Sequence, residues 1–102
     1  MSLLDRGHVA AERQRLDKWL WFARLVKTRK QAVQLIEHGY VRIDARRVDV
    51  PARSVGRGDV LTIALERHVR VLRVLAIAER RGPSRDAQLL FEDLTAKDAA
   101  LS

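Results

Sequence analysis

The stretch Lys27-Thr28-Arg29-Lys30 sets three cations and a hydroxyl at the opening of a helical pattern. A helix start offers unbonded amides and the positive end of the helix dipole, so an anion such as phosphate fits there. A solvated basic turn with the Arg29 stem lying on the core would use the same residues, but dipole and charge converge, which favours the phosphate. Arg29 at a helix start should make little core, so its removal should cost almost no stability. Arg13, Arg15 and Lys18 precede or open an earlier helical pattern, where positive charge is disfavoured. A polyanion backbone passing both helix starts accounts for them; a surface pair of the Asp17–Arg13 kind is the plain alternative. Arg42, Arg46 and Arg47 cluster further on and either extend the same surface or blunt an exposed strand edge. Arg67, Arg70 and Arg73 read mainly as the polar face of a strand. Trp21 has two readings: it stacks on an unpaired base, flanked by Lys18 and Arg24, or it packs under a C-terminal helix against Leu90 or Phe91.

Other residue types offer no catalytic constellation. His8, His38 and His68 lack metal-ligand spacing, and the chain has no cysteine to complete a site. The acidic residues are scattered, with no helical-spaced pair beside a proton partner. Ser2, Ser54, Ser84 and Ser102 fall in tails or turns, outside any nucleophile-elbow pattern. Gly56-Arg57-Gly58 is too short to cradle a phosphate. A non-enzyme with no metal and no organic cofactor is expected.

The elements that must position these cations follow from periodicity. Leu16, Trp19, Leu20 and Ala23 recur at helical spacing, with Phe22 and Val26 flanking them and Asp17, Lys18, Trp21 and Leu25 on the far side. A second helix opens with a Thr28/Gln31 capping box, buries Ala32, Leu35 and Ile36, and ends at His38 and Gly39. So short a connection makes the two helices a hairpin. After Gly39 the period falls to two. Val41 and Ile43 form a strand, Ala45-Arg46 a turn, and Val48 with Val50 an inward-facing second strand that stops at Pro51. Residues 56–59 read as a turn, followed by strands over 60–65 and 68–78 with a slip near Leu72 that suggests a bulge. Ser84 then caps a C-terminal helix whose stripe is Ala87, Leu90, Phe91 and Leu94. The expected fold is α+β: a helical hairpin packed on a small antiparallel β-sheet, plus a C-terminal helix. Residues 13–95 form one domain between loose tails at 1–12 and 96–102.

Composition agrees. The chain has 102 residues with 20 Lys+Arg against 13 Asp+Glu, a net charge of +7. One core is what this length supports. The basic excess lies in the middle, +10 over residues 13–81, against −1 before and −2 after. Sixteen of the 20 basic residues are Arg, whose planar fork grips phosphate in two places and stacks on flat rings. A nucleic-acid partner leads a membrane surface. No apolar run is long enough to span a bilayer, and residues 1–15 lack the order of a signal peptide. With no cysteine, a cytoplasmic setting is expected.

The run over residues 15–65 resembles the S-four type (αL) RNA-binding domain. The resemblance rests on Arg15-Leu16-Asp17, Thr28-Arg29 with Ala32, Gly39, Val41 with Ile43, and Gly58-Asp59. LDKWLWFAR near the start and ERRGPSRDAQLLFEDL downstream are similar to the ribosome-associated heat shock protein 15 family, in which this domain stands alone. That resemblance implies binding to ribosomal RNA on the large ribosomal subunit, particularly free subunits carrying a nascent chain on tRNA. It implies recycling or rescue of those subunits under heat or translation stress, with weak nonspecific binding to single-stranded RNA and DNA. A monomer off the ribosome is expected. Members often carry a longer basic C-terminal extension, whereas this chain ends at Ser102 with an acidic segment. On the residues, the RNA-facing set is Arg15, Lys18, Lys27, Thr28, Arg29, Lys30, Arg42, Arg46 and Arg47, with Trp21 a base-stacking candidate. Two other classes stay open. A helix-turn-helix DNA binder would expose base-reading side chains, for which Lys30, Gln34 and Glu37 are weak. A protein-interaction module would need a large apolar patch, hinted at only by Trp21 and Leu25.

Overall fold

The computed structural model describes residues 12–95. The tails expected at 1–12 and 96–102 lie outside them, apart from Glu12. Leu16, Trp19 and Leu20 are fully buried, and Phe22, Ala23 and Val26 nearly so, which builds helix α1, Leu16–Phe22. Helix α2, Arg29–Glu37, opens with the expected capping box: Thr28 Oγ1 accepts from Gln31 N at 3.1 Å, and Gln31 Oε1 accepts from Thr28 N at 3.3 Å. It buries Ala32 and Ile36 and ends at Gly39, whose φ of +79° suits glycine. A Cβ there would run into the Arg47 guanidinium.

Among the described residues, seven short strands accompany the helical hairpin. β1 (Arg13–Arg15) pairs antiparallel with β4 (Ser54–Gly56) in a two-stranded sheet. The main sheet is antiparallel in the order β3-β2-β5-β6-β7, with β2 Val41–Ile43, β3 Arg46–Val48, β5 Val60–Ala64, β6 Val69–Val74 and β7 Phe91–Asp93. Val41, Leu61, Ile63, Leu72 and Val74 join the apolar faces of α1 and α2 in one core.

Several expectations need correction. The first hairpin turns at Asp44-Ala45, both at positive φ (51° and 71°), as a tight primed turn requires, so Arg46 belongs to β3. Val50 lies outside the strand and is 56% exposed. The chain there leaves the sheet to close the start of α1: the Pro51 and Arg53 carbonyls accept from Asp17 N and Leu16 N at 3.2 and 2.8 Å. β5 and β6 pair in unbroken register from Val60↔Arg73 to Ala64↔Val69, so no bulge exists at Leu72. The apparent slip arises because Arg70 shares the inward side with Leu72 and Val74, yet ends at the sheet margin. There it lies 5.6 Å from the Phe91 ring and 2.8 Å from Asp93.

The helix after Pro83 is present but short. It makes one α turn, α3 (Ser84–Ala87), and a 3-10 turn over Gln88–Leu90, with Pro83 and not Ser84 at the cap. Ala87 and Leu90 bury as the stripe predicted. Phe91 instead starts β7, which covers the free edge of β6 in the register Val74↔Phe91, and Thr95 pins the end by accepting from Val71 N at 2.9 Å.

Candidate nucleic-acid interface

The site is organised by a carboxylate. Asp17, expected on the outer side of α1, is only 1% exposed. Arg15 donates to it twice, Nε to Oδ1 and Nη2 to Oδ2, both at 3.0 Å. Lys18 N donates to Oδ1 at 2.8 Å, and Arg29 Nε lies 3.5 Å from Oδ2. Burial pushes the Asp17 carboxyl up, but the Arg15 hydrogen bonds, the Lys18 amide and the two guanidinium charges outweigh it and hold it below the ordinary carboxylate value. This knot ties the start of α1 to the start of α2. It also explains Arg15 without an external anion. Arg13 is accounted for as well, but not by Asp17: it pairs with Asp59 at 3.3 Å and donates to Ser54 Oγ at 2.8 Å. Arg29 is therefore part of a structural tie, which corrects the expectation that its loss would leave stability unchanged.

The start of α1 is closed to ligands, since Leu16 N, Asp17 N and Lys18 N are all satisfied internally. The start of α2 differs. Thr28 N, Lys27 N and Gln31 N are used in the cap, while Arg29 N and Lys30 N find no acceptor among the described residues. Lys27 and Lys30 flank them, exposed. At the other end of α2, about 13 Å away at 1.5 Å per residue, the Arg47 guanidinium lies against Gly39. Arg42 stands directly opposite Arg47 across the β2–β3 hairpin, and strand alternation gives these two the face away from Val41 and Ile43. Arg46, opposite Ile43, is on the other face, exposed at the hairpin end. Lys18, Lys27, Lys30, Arg42, Arg46 and Arg47 make no ion pair with any described carboxylate.

Trp21 is half-buried and leans on the core, stacked on Phe22 at 5.4 Å. The core it packs against includes Leu90, while Phe91 lies edge-on to Trp19 at 6.3 Å. Arg81 covers the Trp21 ring at 5.7 Å while donating to the Trp21 carbonyl at 3.0 Å. Sequence reasoning missed Arg81, which nothing local connects to α1. It also missed the burial of Asp17, although an acid with Arg15 and Lys18 close by in the sequence was a signal. Among the described residues no three His, Cys, Asp or Glu side chains gather as a metal site, and no helix is long and apolar enough to cross a membrane.

Residues 14–61 match the S4 domain family. Heat shock protein 15 of Escherichia coli (strain K12) is 42% identical over 79 residues, which cover 78% of this chain and 59% of that protein. The chain thus spans about three-fifths of the length of such relatives. Small ribosomal subunit protein uS4 of Staphylococcus haemolyticus is 47% identical over 49 residues, 48% of this chain and 24% of that one. Among solved structures, Vibrio cholerae heat shock protein 15, described as trimeric, superposes with a TM-score of 0.76 at 30% identity, covering 88% of this chain and 96% of the other. Sequence and fold agree, and the chain belongs to the heat shock protein 15 family, with the S4-type domain at its centre.

Proposed function

We propose that this domain binds RNA by its phosphates and acts by binding, without turnover. The observation that carries the reading is the set of unpaired cations, Lys18, Lys27, Lys30, Arg42, Arg46 and Arg47, within the S4-matched segment. Phosphates need cations and free amides together. The start of α2 offers both, and Arg42 and Arg47 would be mutually repulsive unless an anion lies over them. Thr28 adds a hydroxyl at the helix start, though its oxygen is also the cap acceptor. Arg15 and Arg29, about half exposed beside Asp17, keep guanidinium surface for a second acceptor. Trp21 has one face under Arg81, so a base would reach only the ring's remaining surface.

The partner we infer is ribosomal RNA of the large subunit, on free subunits that hold a nascent chain on tRNA. The task is recycling or rescue of those subunits in the cytoplasm under heat or translation stress. The names of the relatives, heat shock protein 15 and a small-subunit ribosomal protein, support the heat-stress and ribosomal-RNA parts of this reading; the large subunit and the nascent chain are our own extension. We read the chain as a monomer away from the ribosome; the trimer described for the Vibrio relative makes light scattering in solution the direct check.

Salt dependence tests the RNA reading. If about five phosphates are contacted, log affinity falls against log salt with a slope of roughly −3.5 to −4.5. Lys27→Ala with Lys30→Ala should flatten that slope by about 1.5 to 2 and weaken binding to many RNA sequences alike, with stability changed by less than about 0.5 kcal/mol. An unchanged slope and affinity would remove the start of α2 from the interface. Sucrose-gradient sedimentation with and without translation stress tests the large-subunit assignment.

A further inference from the structure

A groove of about 900 Å³ opens between α2, the 24–27 connection and the β5–β6 turn. It lies beside the cations described above and shares Lys27 with them. Leu25, Leu35 and Leu65 line it and rest on the core. His38 and Tyr40 form one wall, their rings stacked at 6.1 Å and 17°. Tyr40 is 52% exposed, an unusual position for an aromatic ring in so small a domain.

The backbone that carries the stacked pair is anchored on both sides. Tyr40 N donates to the Leu35 carbonyl at 3.0 Å, and the Tyr40 carbonyl accepts from Ala64 N at 2.9 Å. His38 Nδ1 donates to the Gln34 carbonyl at 2.6 Å, which fixes the imidazole plane. Lys27 and Arg67 stand at the rim without an ion-pair partner among the described residues. Arg24 at the groove's end holds φ at 60°, a conformation that a non-glycine residue keeps only where its surroundings impose it.

An apolar floor, an exposed aromatic face and two free cations are the parts that hold one unpaired nucleotide: the base stacks and the phosphate meets a cation. We propose that this groove binds a single unpaired nucleotide of the RNA, its base on the His38–Tyr40 face and its phosphate at Lys27 and Arg67. The inference rests on the RNA-binding reading and adds to it a preference for RNA with an unpaired end or bulge beside a helix. The net positive rim, with Glu66 its only acid among the described residues, favours this occupant over a basic peptide.

The test compares two fluorescently labelled RNA hairpins by anisotropy, one blunt and one with a three-nucleotide single-stranded overhang. The intact protein should bind the overhang RNA at least about fivefold more tightly, the order of one base–aromatic stack. Tyr40→Ala should abolish that preference while leaving blunt-hairpin affinity and the salt slope unchanged, since no charge is lost. Tyr40→Phe should retain the preference. Circular dichroism confirms that the variants fold, and a 4-thiouridine overhang should cross-link to the peptide containing His38 and Tyr40. Equal affinity for both RNAs, or a preference that survives Tyr40→Ala, overturns the groove assignment and leaves the basic surface standing. Failure to bind either RNA overturns both. Overhang-independent RNA binding together with Tyr40-dependent binding of polyglutamate assigns the groove to a protein partner and overturns the proposal.

Discussion

Arg15 and Arg29 converge on the buried Asp17 carboxylate, whereas Arg42 and Arg47 stand opposite each other across the β2–β3 hairpin with no ion-pair partner among the described residues. Both pairs lie in the same S4-matched segment and consist of the same residue type. The first pair works on the fold, since it neutralises a charge that could not otherwise stay buried. The second pair works against the fold, since like charges directly opposite in an antiparallel ladder repel. A cation's role is thus set by what faces it. Substitutions at the first pair should register in stability, and those at the second in RNA affinity.

The strongest way to break this contrast is at Asp17. Asp17→Ala removes the acceptor of two Arg15 bonds and one backbone amide and unties the two helix starts. Hydrogen bonds to charged groups are worth about 1.5–3 kcal/mol each, partly recovered here because the arginines can return to water. A loss of about 2–4 kcal/mol is expected, seen as a lower urea midpoint at an unchanged m-value. A loss below about 0.5 kcal/mol would mean that the knot is ornamental. The same carboxylate makes stability depend on acid. Its folded value lies below the unfolded one, so its contribution is complete well above about pH 4 and fades as pH falls below that. Asp93, held at about 2 chiefly by the Thr95 hydroxyl and amide, fades over the same descent with a smaller share, being half-exposed. The melting temperature of the unmodified chain should therefore drop below pH 4, and Asp17→Ala should flatten that drop.

Arg29→Ala sits between the two classes. Arg15 still holds Asp17 by two bonds, so the stability loss should be about 0.5–1 kcal/mol. RNA affinity should fall too, with the salt slope flatter by about one unit. A variant that loses affinity without any stability would place Arg29 wholly with the free cations; the reverse would place it wholly with Arg15.

What the sequence disclosed and what it withheld follow the same physical line. α1, α2 and their buried faces were legible because helical periodicity and the Thr28/Gln31 cap are local signals. The pairing of β1 with β4 was not, since three-residue strands such as Arg13–Arg15 carry no period and their partner lies about 40 residues away. Residues 87–94 fit a helical stripe, but the open edge of β6 outweighed that propensity and drew Phe91–Asp93 into the sheet. At the interface, the cations of the Lys27–Lys30 run were evident from spacing. Their division into paired and unpaired depended on Asp17 and Arg29 meeting across two helices, which only the tertiary packing shows. The His38–Tyr40 wall escaped notice because His38 reads as a helix end and Tyr40, between Gly39 and the strand at Val41, enters neither periodic pattern.

The smallest expected effect separates the two regions most sharply, because its sign reverses. Arg42→Ala with Arg47→Ala removes a like-charge pair whose members contact no described carboxylate. Relief of that repulsion should stabilise the hairpin by about 0.2–1 kcal/mol. The gain is partly offset by the lower strand propensity of Ala and by the loss of the Arg47 side chain from its place against Gly39. RNA affinity should fall over the same substitution, with a salt slope flatter by about two units if each guanidinium meets one phosphate. Stability that rises or holds while affinity falls means that the hairpin keeps its charges for a ligand. Stability that falls by more than about 1 kcal/mol with affinity intact would instead make Arg42 and Arg47 structural through their stems. The RNA surface would then contract to the start of α2.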